Sequence, residues 1–107
     1  WRAMNETSAR FAADVDEFAM AGVAKAECRE IDCPRVDRAP ATLECRLIQI
    51  VDLPGDDHMV IGEVVGIHLR DDCLVDGRFD VTRFTPVARL GYHDYTFVRE
   101  VAELRRP

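Results

Sequence analysis

No membrane span is encoded here, because nowhere do about 18 apolar residues run together. A basic, apolar, small-residue stretch of the secretory kind does not open the sequence, so no secretory signal is expected in it. Basic charge is in short supply: 14 Lys and Arg face 20 Asp and Glu, a net charge of −6. Nucleic acids and anionic membranes both need clustered cations, so neither is expected as a partner. The last quarter is locally more basic through Arg83, Arg89, Arg99, Arg105 and Arg106, which reads as a solvated face. The sequence has no GxGxxG, no Walker loop and no Ser/His/Asp set, so no catalytic residue is assigned. Cysteine occurs four times, at Cys28, Cys33, Cys45 and Cys73. Four residues separate Cys28 from Cys33, and no second close pair of Cys or His completes a tetrahedral set, so no metal site is expected. Reduced thiols in a cytoplasmic protein are the corresponding expectation. No internal repeat or low-complexity segment occurs.

The 107 residues are enough for one domain with a single modest core. With 48% hydrophobic and 32% charged residues, the composition is that of an ordinary globular chain. Asp14-Val15-Asp16-Glu17 has the form of a capping box, in which Asp14 accepts from the Glu17 amide. It predicts a helix over residues 15–21, stopped by Gly22. Residues 24–32 fit either a strand or a loop, and residues 33–40, with two prolines, read as an extended connector. From Ala41 the period becomes two: Leu43, Cys45 and Leu47 point one way, Thr42, Glu44 and Arg46 the other. Cys45 is expected as a small buried hydrophobe.

Residues 52–57, Asp-Leu-Pro-Gly-Asp-Asp, are dense in turn formers, and a second strand starts near His58, giving a long antiparallel hairpin. Arg46 is expected opposite Glu63 as an ion pair. Gly62 and Gly66 share one face of the second strand with Val60, Val64 and His68. Glycines inside a strand mark curvature or a close approach to the backbone, here by a ligand or a second subunit. His68 and His93 are given no role. Downstream, residues 73–75 form a short apolar element, and residues 80–84 read as one helical turn capped by Asp80. Residues 87–91 alternate as a strand, and Phe97, Val101 and Leu104 recur at helical spacing.

Four stretches, AMNETSARFAADVDEF (3–18), LECRL (43–47), GDDHMVIGEVVGIHL (55–69) and FTPVARLGYHDY (84–95), together resemble the flavin reductase family of the FMN-binding split-barrel superfamily. The resemblance implies a mainly β fold: an antiparallel, Greek-key split β-barrel with short flanking helices. Family members run to about twice this length. Residues 1–107 therefore read as the C-terminal part of a single domain, incomplete at the N-terminus, in a chain that opens on Trp1. The implied cofactor is FMN or FAD, with NADH or NADPH as reductant, and the implied activity is hydride transfer from the nicotinamide to the flavin. The resemblance implies a homodimer as well, with a flavin-dependent monooxygenase as recipient of the reduced flavin. Two alternatives stand beside this activity: a non-enzymatic, flavoredoxin-like electron carrier, and a structural half-domain that only dimerises.

The implied cofactor-binding residues are Asn5, Thr7, Ser8, Asp57, His58, Arg89 and Tyr95. Asn5, Thr7 and Ser8 resemble the family's Asn-x-Thr-Ser stretch, with a helix N-cap as the competing reading. The Gly-Asp-His turn of the family is represented here by Gly55-Asp56-Asp57-His58, one residue longer, and Asp57 is carried over as the carboxylate beside His58. Arg89 and Tyr95 are implied in phosphate or ring contact. The family's two-glycine turn after this arginine and leucine is replaced by Gly91-Tyr92.

Overall fold

The computed structural model describes all of residues 1–107. Its elements are α1 (Arg2–Glu6), α2 (Glu17–Met20), β1 (Lys25–Glu27), β2 (Pro34–Val36), β3 (Ala41–Asp52), β4 (His58–Leu69), β5 (Leu74–Val75), β6 (Arg78–Phe79), β7 (Val87–Arg89) and β8 (Tyr95–Phe97). Short 3-10 turns occupy Asp71–Cys73 and Val81–Arg83. Each strand pairs with its neighbour in sequence, giving four two-stranded sheets, none of which closes on another. The chain divides into two units, Arg2–His68 and Leu69–Pro107 together with Trp1.

In the unit Arg2–His68, the predicted helix over 15–21 is shortened to α2, and its cap moves from Asp14 to Asp16. Asp16 accepts from the Phe18 amide at 3.1 Å and also pairs with Lys25 Nζ at 2.6 Å. That second partner, absent for Asp14 in the capping-box reading, favours Asp16. Part of the expected connector is a strand. β2 pairs antiparallel with β1 in the register Lys25–Val36, Ala26–Arg35 and Glu27–Pro34. Proline is tolerated there because it lies on an edge position that has no ladder hydrogen bond to give.

The β3–β4 hairpin has the predicted bounds to within a residue, and Leu53 N donates to Asp57 O at 3.0 Å across its turn. Gly55 takes φ +87°, a conformation in which a side chain would strain the turn. Both faces of this ribbon are apolar and open: Leu47 is 58% exposed, Ile48 64%, Val60 65% and Ile67 62%. Arg46 and Glu63 make no ion pair; the unit's ion pairs are Lys25–Asp16, His58–Asp52 and His68–Glu44. Cys45, expected in the interior, is exposed. It lies against Gly62, where a Cβ would come within 3.1 Å of Cys45 Cβ, and a glycine has no side chain with which to cover it.

In the other unit, β5 pairs with β6 and β7 with β8, both antiparallel. Asp80 caps the Val81–Arg83 turn as expected, its Oδ1 accepting from Thr82 N at 2.9 Å and Thr82 Oγ1 at 2.7 Å. Cys73 is its one fully buried apolar side chain. The helical spacing after Phe97 produces no helix. Residues 98–107 have no regular structure, and Leu104 is 98% exposed.

Candidate functional site

The most enclosed polar group is Glu44 on β3, with 1% of its surface exposed. Its carboxylate accepts from Arg29 N at 2.9 Å and Glu30 N at 2.7 Å, and it bonds His68 Nε2 from β4. Burial pulls the acid upward, but the two amides and then His68 outweigh it and bring it to about 2. Gly66 makes the space. A Cβ there would sit 3.2 Å from both Glu30 Cγ and Glu44 Cδ. The notch at Gly66 is therefore filled by the chain's own carboxylate and the loop beside it. His68, assigned no role from sequence, holds that carboxylate. Period two had already placed Gly66 and His68 on one face, and this was the available signal.

At the hairpin tip His58 Nδ1 bonds Asp52 Oδ1 at 2.9 Å. The carboxylate bonded to His58 is Asp52, across the turn that brings the two strand ends together, while Asp57 is its neighbour in sequence. Asp57 contributes its carbonyl to that turn. With Nδ1 engaged, His58 presents Nε2 outward, and both side chains are largely exposed.

Asn5 lies in α1, and Thr7 and Ser8 follow it. Thr7 Oγ1 donates to Met4 O at 2.9 Å and Ser8 Oγ to Asn5 O at 2.7 Å. The two hydroxyls close the C-terminal end of the helix, which displaces the N-cap reading. Their protons are committed, so their oxygens remain as acceptors.

Arg89 and Tyr95 are brought together as a cross-strand pair of β7 and β8, with the guanidinium 5.8 Å from the ring centroid. Arg89 Nη2 donates to Tyr92 O at 3.1 Å, using one of its five N–H groups. Trp1 packs on the same sheet, 6.3 Å from Tyr95 and 6.1 Å from Phe97, ring centroid to ring centroid. Tyr92 itself takes φ +57°. Flat aromatic surface beside an arginine with donors to spare suits a planar heterocycle carrying a phosphate.

The model of the flavin reductase like domain matches residues 2–98, and the chain belongs to that family. It is similar to nitrilotriacetate monooxygenase component B from Bacillus cereus at 30% identity and a TM-score of 0.86, covering 96% of this chain and 54% of that one. A split-barrel-domain protein assigned to the flavin reductases from Shewanella frigidimarina gives 25% identity and a TM-score of 0.84, covering 100% of this chain and 55% of that one. A relative from Deinococcus radiodurans is 36% identical over 96% of this chain and 47% of its own length. The chain thus spans about half the length of the relatives it matches. The fold is mainly β and of the split-barrel kind, with open sheets.

Proposed function

We propose that these residues form the C-terminal part of an FMN-binding domain that reduces flavin at the expense of NADH or NADPH. The observation carrying this reading is the family match across residues 2–98. Bound flavin would supply the hydride chemistry, accepting two electrons from a nicotinamide and passing them on. The chain's own part is binding and orientation. In the Leu69–Pro107 unit, Arg89 would hold the phosphate through its remaining N–H groups, and the Tyr95 ring beside it would offer aromatic surface. In the Arg2–His68 unit, Asn5 would offer an amide, and Thr7 and Ser8 acceptor oxygens, to flavin donors. His58, steadied by Asp52 and next to Asp57 in sequence, would offer Nε2 to a carboxamide or phosphate oxygen of the nicotinamide nucleotide.

Similarity to a monooxygenase component supports an oxygenase as recipient of the reduced flavin. A homodimer is supported by the apolar faces of the β3–β4 ribbon, which a strand pair covered on both sides would bury. The test is NADH and NADPH oxidation with FMN, run on the protein and on His58→Ala. Turnover with free flavin supports the reading, and flavin held without turnover identifies an electron carrier. His58→Ala is expected to raise the KM for the nicotinamide nucleotide with kcat unchanged. If neither constant moves, His58 has no part in binding.

A further inference from the structure

Cys28 and Cys33 lie at the two ends of the loop that joins β1 to β2, and the ladder register decides how they face each other. Glu27 pairs with Pro34, and Ala24 O accepts from Asp37 N at 3.0 Å. Because Pro34 has no N–H, its rung can be closed only through the bonds of the flanking rungs. The ladder ends at Glu27–Pro34, and the same register carried one step into the loop sets Cys28 against Cys33. Residues opposed across an antiparallel pair have Cα atoms about 4.5–5.5 Å apart. That separation lies inside the range a disulfide spans, about 4.4–6.8 Å.

Both cysteines line one cleft, shared with Ile31 and Asp32. Cys33 is exposed and Cys28 half-buried. The loop between them is already held in shape: the amides of Arg29 and Glu30 are the donors that grip Glu44. The other two cysteines have no such opposite number, Cys45 facing Gly62 and Cys73 being buried beside Asp72.

We propose that Cys28 and Cys33 are a thiol–disulfide couple, a redox site closing the 28–33 loop in exchange with low-molecular-weight disulfides. In the first step the Cys33 thiolate attacks one sulfur of such a disulfide. A Cys33 mixed disulfide forms, and one small thiol leaves, taking up the proton that Cys33 lost. In the second step the Cys28 thiolate attacks Cys33 Sγ, the internal disulfide forms, and a second small thiol leaves with the Cys28 proton. Two protein thiols are oxidised and one disulfide is reduced to two thiols. Cys33 goes first because it is exposed. Cys28 is half-buried, and desolvation foremost, then the charges of Glu44 and Cys33, push its thiol upward. Oxidation would act on the loop that supplies both amides to Glu44, so the couple adjoins the carboxylate holding His68.

The test uses the reduced full chain, titrated with oxidised glutathione, quenched in acid, alkylated and digested with trypsin. Cleavage after Lys25, Arg29 and Arg35 places the two cysteines on separate peptides, 26–29 and 30–35. Two of the four thiols are expected to be lost together, with those two peptides joined within one chain and released by dithiothreitol. Cys28→Ser should stop at glutathione on Cys33, and Cys33→Ser should leave Cys28 open to alkylation. Glutathione accumulating on Cys33 in the unaltered protein while Cys28 still alkylates would overturn the proposal. So would a link between two chains in place of one within a chain.

Discussion

Glu44 keeps its charge in an enclosed position because two amides and an imidazole replace the water it lost. The sign of the pH effect follows. Its folded value of about 2 lies below an ordinary 4.5, so its contribution is whole above about pH 4.5 and is lost as the pH falls toward 2. The urea midpoint of the protein is expected to drop across that window. In Glu44→Gln the midpoint should start lower at neutral pH and show a flatter dependence there; an equally steep drop in the variant would assign the acid sensitivity to other groups. Tyr92 makes the opposite kind of residue-scale statement. It is 92% exposed yet holds φ +57°, which costs an L-residue about 1–2 kcal/mol. Tyr92→Gly removes that strain, against about 0.5–1 kcal/mol of added backbone entropy in the unfolded chain. Equilibrium denaturation should show a net gain of about 0.5–1 kcal/mol.

The β3–β4 hairpin is the element on which the Glu44 site depends. A methyl at residue 66 would meet Glu44 Cβ at 3.3 Å, and that atom has little freedom to move. Gly66→Ala is therefore expected to cost about 1–3 kcal/mol, measured by chemical denaturation, with Gly91→Ala, which meets nothing within 4 Å, as the control. This hairpin was also the most legible element in the sequence. Strict alternation from Ala41 and the turn formers at 52–57 set its limits without reference to anything distant. Glu44 was harder to interpret, because the donors that explain it lie in a loop 14 and 15 residues earlier in the chain. Local pattern carries no information about such a pairing. Phe97, Val101 and Leu104 misled for a different reason. Helical spacing only pays off when a face is buried, and a short segment whose Val101 and Leu104 remain open has too little to hold a helix. Of the candidate binding residues, spacing alone brought none together, whereas the β7–β8 register places Arg89 on Tyr95.

On the scale of the whole molecule, an open, apolar ribbon and a length about half that of its relatives go together. No helix is long and apolar enough to cross a membrane. Family membership carries the class of ligand, and in the proposed function the Arg89–Tyr95–Trp1 cluster is where it would dock. Losing the charge-assisted bonds of Arg89 should weaken FMN binding by about 10- to 100-fold, the equivalent of about 1.5–3 kcal/mol. Trp1 is the only tryptophan, so its fluorescence reports on that cluster alone. The most direct measurement is an FMN titration of the protein and of Arg89→Ala, following Trp1 emission. Saturable quenching that shifts to higher FMN concentration in the variant is the predicted result. No quenching, or an identical curve for both proteins, would contradict flavin binding at this site.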